Sequence, residues 1–545
     1  MTKEWHKHFP FPTIRDGQEG VIDQIIETFS EGKNRFVFLD APTGTGKSGI
    51  GLTIGRHFDS AYYITAQKIL QTQLSHDFGE EGVWRGNGSP LVELKGRNAY
   101  PCNFYSRALN DPEFMKKVLE ERKDRYQELA VSGVDCAKGE CKRIQKTKLK
   151  FCEGHCPYFN QLDRAMNAKL TMMNFHSFLY QTQMVPERWV KKPLLIIDEC
   201  HNTEQVLMEF ISLTLTDHQF GLTFPVYESA SEYLIFLEDN GVAEMMIEKI
   251  KAAALASDDE NEEYWKQQAL KYAKFKHAIC ESDEEWVVKY EKKEKWATIE
   301  LKPLFINKFT ESLLFGMADN ILLMSATILN PKIFADSLGI KNSEYKYVKL
   351  ANKFPKENRP IIFKPSGSMS YKSKQETIKK LFIDVEKICN EHANDRGIIH
   401  THTFEIADYL IKNCSKSVTR RFFYQNDYSS KQDMLRQHAE SKNGIILAPA
   451  MHEGLDLKGD LSRFQIITKV PYPSLANNPQ LEKRMRISND YYMYLTGLKL
   501  VQSYGRSVRS ETDWAKTYVV DSDFKSFCSR SYNILPDWFL EAVIW

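Results

Sequence analysis

The sequence Phe36-Val37-Phe38-Leu39-Asp40-Ala41-Pro42-Thr43-Gly44-Thr45-Gly46-Lys47-Ser48 decides how the rest of the chain is interpreted. Its bulky apolar half predicts a buried strand, and its glycine-bearing half predicts a turn that leads into a helix. Such a turn directs successive backbone N–H groups toward one point, where the positive end of the helix dipole adds to them. The stretch therefore predicts a phosphate-binding loop.

The residue types of this loop suit a nucleoside triphosphate and its metal ion. We expect Lys47 to reach the β- and γ-phosphates and the Ser48 hydroxyl to bind Mg²⁺. The same loop supplies the remaining phosphate-binding candidates, Thr43, Gly44, Thr45 and Gly46. Ala41 replaces the first glycine of the strict pattern, which is a minor departure because two turn glycines remain. A chance glycine turn beside a lysine is the alternative, and the predicted strand and helix on either side argue against it.

A glutamine upstream of the loop suggests which base is bound. The amide of Gln18 offers both a donor and an acceptor, which suits the edge of adenine. Arg15 lies three residues earlier and is assigned to the same site. An ordinary surface glutamine is the alternative. We therefore expect the nucleotide to be ATP.

Bulk composition narrows the class of protein. A chain of 545 residues is too long for one core, so about three or four domains are expected. The formal net charge is +1, which means that any groove for nucleic acid must be local. No apolar run approaches the ~20 residues of a membrane span, and the N-terminus has no signal-peptide pattern. We expect a protein of the cytoplasm, of the host if the source is viral, without a fused nuclease because only eight residues precede Phe9.

Strand patterns alternate with helix patterns in two parts of the chain. Ala61–Ala66, Leu170–His176 and Pro193–Ile197 belong to the first part, which indicates an α/β domain with a parallel sheet. A second alternating domain has the strand patterns 397–401, 444–448, 464–468 and 518–521. The fold class is therefore α/β with two parallel-sheet domains.

Two tracts interrupt the first alternating domain. Residues 90 to 175 contain a charged helical tract, Glu113 to Glu128, and a cluster of cysteines. The second tract covers about 210 to 315, where the acidic segment 258–263 predicts a loop that precedes a helix. Residues 286–301 then predict a β-hairpin. Both tracts are interpreted as insertions.

Polar residues follow three of the predicted strands. Asp198 and Glu199 come after an apolar run, where a parallel sheet places ligand groups. Asp198 suits the magnesium site, and Glu199 suits the activation of the water that attacks the γ-phosphate. The segment Ser325–Thr327 can relay the nucleotide state, with a helix N-cap as the alternative. The turn Glu453–Leu457, which contains Asp456, can couple the two domains around the nucleotide.

A pair of arginines near the C-terminus suits transition-state stabilisation. In the segment that begins at Gln502, Arg506 and Arg509 are three residues apart and share one face if the segment is helical. From a second domain they would act as arginine fingers on the γ-phosphate. A solvated helix face is the usual alternative.

The cysteines favour metal binding. Five of the ten lie between Cys102 and Cys156, and such a cluster in a large protein without a secretion signal favours a metal over disulfides. The five are Cys102, Cys136, Cys141, Cys152 and Cys156. Spacing alone does not distinguish zinc from an iron–sulfur cluster.

Taken in order, these motifs resemble superfamily 2 helicases. They are Gln18, Ala41–Ser48, Asp198–His201, Ser325–Thr327, Glu453–Leu457 and Gln502–Arg509. Four features narrow the resemblance to the XPD/DinG family of iron–sulfur helicases: Gly96–Cys102, Cys156–Phe159, the position of the cysteine insertion, and Lys469–Pro473. The resemblance implies an ATP-driven motor that moves 5′ to 3′ on single-stranded DNA and unwinds forked duplex DNA. It also implies catalytic roles for Lys47, Asp198, Glu199, Gln502, Arg506 and Arg509.

The resemblance also implies a domain order and a [4Fe–4S] cluster. Two RecA-like domains would carry an iron–sulfur domain and an Arch domain inserted in the first. The expected boundaries are 1–89, 171–209 and 316–330 for the first domain, 90–170 for the iron–sulfur insertion, 210–315 for the Arch-like insertion, and 331–545 for the second domain. Cys102, Cys136, Cys141 and Cys156 match the cluster ligands, with Cys152 as a possible substitute. Cys200 replaces the alanine of the family's Asp-Glu-Ala-His motif, and a residue of similar size should leave catalysis intact.

Basic and aromatic side chains are expected along the DNA path. The candidates are Lys68, Arg97, Tyr100, His402, Thr403 and Tyr472, each of which can equally have an ordinary surface or core role. A nucleotide-switched scaffold that binds nucleic acid without unwinding it is the rival function. Among enzymes, the rivals are a helicase that unwinds RNA or a hybrid, and a translocase that does not separate strands.

Overall fold

A computed structural model provides the coordinates of the chain. It describes residues 3–66, 68–79, 82–83, 90–103, 113, 135–137, 156–256, 259–281, 285–351, 354–449, 457–508 and 512–545. Several predicted features lie outside these residues: most of the charged tract 113–128, and also Cys141, Cys152, Asp456 and Arg509.

The strands follow the apolar runs of the sequence. In chain order they are β1 (Phe36–Asp40), β2 (Ala61–Thr65), β3 (Leu91–Leu94), β4 (Leu170–Asn174), β5 (Lys192–Asp198), β6 (Leu213–Thr216), β7 (Trp286–Lys292), β8 (Ala297–Pro303), β9 (Ala318–Ser325), β10 (Tyr345–Lys349), β11 (Ile361–Gly367), β12 (Gly397–His400), β13 (Phe422–Tyr424), β14 (Ile445–Ala448), β15 (Phe464–Ile467), β16 (Lys516–Asp521) and β17 (Val543–Ile544).

The helices alternate with these strands. They are α1 (Gln18–Ser30), α2 (Lys47–His57), α3 (Lys68–Phe78), α4 (Pro157–Asn167), α5 (Phe175–Met184), α6 (Thr203–Ile211), α7 (Ala230–Asp239), α8 (Val242–Ala256), α9 (Asp259–Glu281), α10 (Thr310–Leu313), α11 (Pro331–Leu338), α12 (Lys374–Glu391), α13 (Phe404–Asn413), α14 (Lys416–Thr419), α15 (Lys431–Glu440), α16 (Pro479–Ile487), α17 (Asn489–Tyr504), α18 (Asp523–Arg530) and α19 (Asp537–Leu540).

Two parallel seven-stranded sheets form the two main domains. The first sheet has the order β10-β1-β9-β5-β2-β4-β3, and the second has the order β13-β14-β12-β15-β16-β11-β17. The apolar central parts of β1, β5 and β9 are buried because helices cover both faces of the first sheet. The α/β fold class with two parallel-sheet domains is confirmed.

The second insertion forms a small unit of its own. Strands β6, β8 and β7 make an antiparallel sheet, and the pairing of β7 with β8 confirms the predicted hairpin. Helix α9 buries Trp265, Tyr272 and Phe275. The acidic segment was predicted as a loop, but its described part, 259–263, is the first turn of α9. Acidic side chains are favoured in the first turn of a helix because of the helix dipole, which explains the error.

One predicted boundary is displaced by the first sheet. The second domain was expected to begin at residue 331, yet β10 pairs in parallel with β1 from Phe36↔Tyr345 to Asp40↔Lys349. The first domain therefore continues to Lys349, and α11 belongs to it. Without β10, β1 would be an edge strand with unpaired backbone N–H and C=O groups. Pairing with β10 supplies hydrogen-bond partners for these groups.

Buried apolar side chains connect the parts of the molecule. One continuous cluster includes Phe38 of the first sheet, Leu301 of the hairpin, Leu500 of α17 and Val519 of the second sheet. Over the described part of the chain, no helix is both long and apolar enough to cross a membrane.

Candidate active site

The predicted phosphate loop lies at the carboxyl end of β1 and leads directly into α2. Gly44 and Gly46 have φ angles of 83° and 81°, which residues other than glycine rarely adopt. A Cβ atom at Gly46 would stand 2.6 Å from Nε2 of Gln18. Both the conformation of the loop and its contact with α1 therefore require glycine at position 46.

Lys47 is folded over its own loop. Its Nζ donates to the carbonyl oxygens of Ala41 at 3.0 Å and Pro42 at 3.4 Å, and the residue is 9% exposed. A lysine with three donors can exchange such carbonyls for phosphate oxygens without moving its backbone. The phosphate-binding role of Lys47 stays a prediction.

Gln18 and Arg15 hold the loop from outside. The Nε2 group of Gln18 donates to the carbonyl of Thr45 at 2.8 Å, and its Oε1 accepts from the backbone N–H of Arg15 at 2.8 Å. The Arg15 guanidinium donates to the carbonyl of Gly44. Gln18 is 2% exposed, so adenine recognition by Gln18 stays a prediction that requires one of these bonds to be exchanged.

The acid pair lies beside the loop, as predicted. Asp198 ends β5 and is 2% exposed, and its Oδ2 accepts from the Tyr63 hydroxyl at 2.6 Å. Burial raises the pKa of the Asp198 carboxyl, and the nearby charge of Glu199 raises this pKa further, whereas Lys47 opposes the shift. A buried carboxylate of this kind gains from a nearby cation. The donor set of Asp198 and the half-buried Ser48 hydroxyl fits Mg²⁺.

Glu199 is held in an uncommon backbone conformation. Its φ angle is 52°, and its N–H donates to Asp198 Oδ1 at 2.9 Å. Left-handed conformations are uncommon for residues with a Cβ and often mark functional sites. The turn sends the Glu199 side chain to His201, where Oε2 and Nδ1 are 3.4 Å apart.

His201 connects the acid pair to the third polar segment. Its Nδ1 lies 2.8 Å from Ser325 Oγ and 3.4 Å from Thr327 Oγ1. The two hydroxyl oxygens are 3.3 Å apart, and Ser325 Oγ accepts from the N–H of Thr327. Ser325 does not cap a helix, because Asn330 caps α11. The side chains of His201, Ser325 and Thr327 therefore lie within hydrogen-bonding distance of one another.

Gln502 and Arg506 stand at the end of α17 in the second domain. Gln502 is 7% exposed, and its carbonyl accepts from Arg506 Nε at 3.0 Å. The helix ends at Tyr504, so Arg506 does not lie on the helix face that the spacing of the arginines predicted. Gly505 is the residue that follows the last turn of the helix. Hydrogen bonds from Gln465 Nε2 to the Tyr504 carbonyl and between Ser462 and Ser507 fix this turn to β15.

Three of the clustered cysteines are buried in the first insertion. Cys102, Cys136 and Cys156 are all buried, and the Sγ atoms of Cys136 and Cys156 are 3.9 Å apart. The Cys156 thiol and burial raise the pKa of Cys136, and Cys102 raises this pKa as well. Within the described residues, which omit Cys141 and Cys152, no group of three or more metal-binding side chains is arranged for a metal ion. Two thiolates on one tetrahedral zinc ion would be about 3.8 Å apart, so this distance suits zinc, whereas thiolates on separate iron atoms of a cluster would lie farther apart.

The candidates for the DNA path have varied environments. The Arg97 guanidinium packs over the rings of Tyr158 and Phe159 at 5.0 and 5.1 Å. The Tyr100 hydroxyl accepts from the N–H of Lys95, and Thr403 caps α13. Tyr472 stacks on Tyr492 at 5.9 Å, and burial raises the pKa of Tyr472 to about 12. His402 has a φ angle of 56°, and Lys68 begins α3. Their contact with DNA stays a prediction.

Sequence reasoning missed two tyrosines of the site. Tyr63 lies in β2 and binds Asp198, and Tyr347 lies in β10 and donates to Asp40 Oδ2 at 2.6 Å. Each tyrosine lies on the strand next to that of its acid: β2 is next to β5, and β10 is next to β1. Only the strand order of the sheet brings each hydroxyl to its carboxylate. The alternation of side chains along a strand could have selected a face, but not a partner.

Two family models match the chain. The model described as a helicase C-terminal domain matches residues 385–542, and the model described as the res subunit of type III restriction enzymes matches residues 11–224. The two matched ranges include the main parts of the second and first sheets respectively.

Curated relatives are helicases. A probable ATP-dependent helicase of Methanocaldococcus jannaschii is 26% identical over 256 residues, which cover 42% of this chain and 38% of the relative. The ATP-dependent DNA helicase DinG of Photobacterium profundum is 25% identical over 255 residues, which cover 43% and 36%. The ATP-dependent DNA helicase CHL1 of Candida albicans is 29% identical over 124 residues, which cover 19% and 14%. Each match therefore spans less than half the length of the relative.

Solved structures share the fold along almost the whole chain. A structure titled XPD helicase has a TM-score of 0.60 at 16% identity and covers 96% of this chain and 98% of its own. The Xpd4 structure of S. tokodaii has a TM-score of 0.56 at 12% identity and covers 97% and 99%. The two family models and the curated relatives thus support an XPD/DinG-like superfamily 2 helicase, and the solved structures show that the chain shares the XPD fold.

Proposed function

We propose that the chain is an ATP-dependent DNA helicase that moves 5′ to 3′ on single-stranded DNA and unwinds forked duplex. The observation that carries this proposal is the meeting of Lys47, Asp198 and the His201–Ser325 contact at one edge of the first sheet. Two of the named relatives, DinG and CHL1, are ATP-dependent DNA helicases, which supports DNA as the substrate.

In the first domain, the residues of the loop bind and orient ATP. Lys47 gives up its bonds to the Ala41 and Pro42 carbonyls and binds the β- and γ-phosphates. Ser48 and Asp198 would hold Mg²⁺, which would supply charge neutralisation at the phosphates. Glu199 orients the attacking water and accepts its proton. His201 then connects a change at Glu199 to Ser325 and Thr327.

The second domain completes the site. Gln502, Arg506 and Arg509 are proposed to stabilise charge on the transferred phosphoryl group when the domains close on ATP. Asp456 is proposed to assist this closure. Each cycle of closure and opening then moves the strand between the domains by one step.

The decisive experiment is strand displacement with 5′-tailed and 3′-tailed duplexes, together with ATP hydrolysis with and without single-stranded DNA. We expect hydrolysis that DNA stimulates and unwinding that needs a 5′ tail. Unwinding only from a 3′ tail would contradict the polarity. Binding of ATP and DNA without turnover would favour the rival scaffold, and activity on RNA alone would favour the RNA unwinder.

A [4Fe–4S] cluster is proposed for the cysteine-rich insertion. Cys102, Cys136 and Cys156 would hold it together with Cys141 or Cys152, because four thiolates are needed and these three cysteines belong to one buried cluster of side chains. Visible absorption and metal analysis of the purified protein test this. We expect a yellow-brown protein with iron and sulfide, and Cys136→Ser should lose the colour. Colourless protein with one zinc ion would assign the site to zinc.

A further inference from the structure

A buried ion pair joins the two domains next to the proposed active site. Glu204 lies in the first turn of α6, five residues after Glu199. Its Oε1 accepts from the Arg484 guanidinium at 2.5 Å, and its Oε2 accepts from the Tyr491 hydroxyl at 2.6 Å. The side chains of Arg484 and Glu204 are only 6% and 11% exposed. Both carboxylate oxygens of a first-domain residue are therefore bound by the second domain.

Arg484 is enclosed from several sides. Its guanidinium carbon lies 3.7 Å from the centroid of the Tyr491 ring and 5.1 Å from that of Phe305. On the same helix, Gln480 Nε2 donates to the carbonyls of Pro303 and Leu304 at 3.2 and 3.1 Å. Breaking a buried pair leaves an uncompensated charge, so this contact resists separation. The two domains are therefore held together at this contact.

The same region of the second domain reaches the segment that follows Ser325–Thr327. The Tyr494 hydroxyl, one turn after Tyr491 on α17, donates to the carbonyl of Ile328 at 3.1 Å. A Cβ atom at Gly497 would stand 3.4 Å from Leu329 Cδ1, so α17 packs closely there. Helix α17 thus touches the residues that follow both polar segments of the first-domain site.

The far end of α17 carries Gln502 and leads to Arg506. Eleven residues separate Tyr491 from Gln502, which is about 16 Å of helix. A rotation of about 10° at Tyr491 would move the far end by about 3 Å. A helix is stiff over this length, so a small change beside Glu204 becomes a displacement as long as a hydrogen bond.

We propose that Glu204, Arg484 and Tyr491 form an interdomain joint that positions α17, and thereby Gln502 and Arg506, for ATP hydrolysis. This inference rests on the proposed function. The three are positioning residues, because they act through α17 and not on the nucleotide. The state of the acid pair reaches Glu204, five residues after Glu199, and passes from there through Tyr491 along α17 to Gln502 and Arg506.

The test compares two tyrosine hydroxyls that each donate to a carboxylate. Tyr491→Phe removes the bond to Glu204 across the domains. Tyr424→Phe is the matched control, since Tyr424 donates to Asp408 at 3.2 Å within the second domain. We expect Tyr491→Phe to lower kcat for DNA-stimulated ATP hydrolysis at least about fivefold. The KM for ATP should stay within about twofold because the loop that binds the phosphates is unchanged. Tyr424→Phe should leave both constants at the wild-type values.

A double-mutant cycle sharpens the assignment. Glu204→Gln and Tyr491→Phe act on one contact, so the double variant should lose no more kcat than the more severe single variant. Multiplied losses would contradict a shared joint. A lower melting temperature with unchanged kcat would reduce the three residues to a structural role and overturn the proposal.

A second readout separates the joint from the proposed function. Dyes on the two domains report their approach by energy transfer when a non-hydrolysable ATP analogue is added. We expect Tyr491→Phe to diminish this change and Tyr424→Phe to preserve it. If the wild-type chain hydrolyses no ATP, the proposed function is wrong, and the dye signal still judges the joint. An identical signal in wild type and Tyr491→Phe would overturn the joint.

Discussion

The two parallel sheets of this chain have the same number of strands but different chemistry at their carboxyl ends. In the first sheet, Lys47 and Asp198 are buried, and the Lys47 ammonium group donates to carbonyls of its own loop. In the second sheet, Asp521 accepts from the backbone N–H groups of Met369, Val470 and Asp523. At the first sheet, the Lys47 ammonium group can exchange its carbonyl partners for a ligand. At the second sheet, the Asp521 carboxylate holds three backbone segments in place through hydrogen bonds.

The loops that follow the strands account for this difference between the two sheets. Both sheets bury their strands in the same way, and the loops that follow the strands decide whether a polar group binds a ligand or supports the backbone. The second sheet is therefore expected to act as a rigid support for Gln502 and Arg506. Substitutions of single buried polar groups separate these two uses.

The largest effect is expected at Lys47. Lys47→Met removes the only ammonium group of the phosphate loop, so kcat for ATP hydrolysis should fall at least about 100-fold. The melting temperature should fall only modestly, because Lys47 loses one buried bond, to the Ala41 carbonyl, and a longer one to the Pro42 carbonyl. Steady-state hydrolysis and thermal unfolding measure the two quantities. Retention of more than about a tenth of the wild-type rate would contradict the proposed site.

The next effect separates Lys47 from a second buried lysine. Lys192 begins β5, and its Nζ donates to the carbonyls of Ala168 and Lys169 and to the Thr171 hydroxyl at 2.8, 3.1 and 2.9 Å. Lys192→Met should lower the free energy of unfolding by about 2–3 kcal/mol, since buried carbonyls lose their donor. The kcat per folded molecule should stay near that of the wild type. A rate loss like that of Lys47→Met would show that the amino ends and the carboxyl ends of the strands do not act independently.

Acid should weaken the second domain. Burial lowers the pKa of His438 to about 4, and its Nε2 donates to the Gly444 carbonyl at 3.2 Å. The unfolded state takes up a proton near pH ~6.5, whereas the folded state does so only near pH ~4, so stability falls as the pH drops through this window. Between pH ~7.5 and ~5 the loss from this residue should be about 2 kcal/mol. Denaturant unfolding at both pH values measures it.

A non-titrating variant provides the control for this acid effect. His438→Gln can still donate to the Gly444 carbonyl but takes up no proton in this range. Its stability should therefore depend less on pH than that of the wild type, by the same amount. Equal pH dependence of the two proteins would show that His438 is not the source.

The smallest effect is expected from a tyrosine hydroxyl behind Asp198. Tyr63→Phe removes the bond to Asp198 Oδ2, and we expect kcat to fall about threefold to tenfold as the carboxylate loses its orientation. Tyr62→Phe is the matched control, because the Tyr62 hydroxyl donates to the Val190 carbonyl at 2.7 Å, away from the loop. Hydrolysis at varied Mg²⁺ concentration compares the two. Equal rates for both variants would deny Tyr63 a role at the site.

Some elements could be predicted from the sequence and others could not. The strand, turn and helix of 36–57 were predictable because apolar periodicity and glycine placement act within a few residues. Strand β10 was assigned to the wrong domain because its partner, β1, precedes it by about 300 residues. The first turn of α9 was predicted as a loop because acidic composition alone does not distinguish a solvated helix from a loop.

The sequence by itself determined the phosphate loop, the acid pair and the two parallel-sheet domains, because each depends on neighbours along the chain. Only the tertiary structure decided that Tyr63 supports Asp198, 135 residues away, and that Arg484 binds Glu204, 280 residues away. Such contacts depend on strand order and helix packing, which no local pattern encodes. The residue types of the site are thus set by short stretches of sequence, whereas the contacts between its first-domain and second-domain parts depend on the tertiary fold.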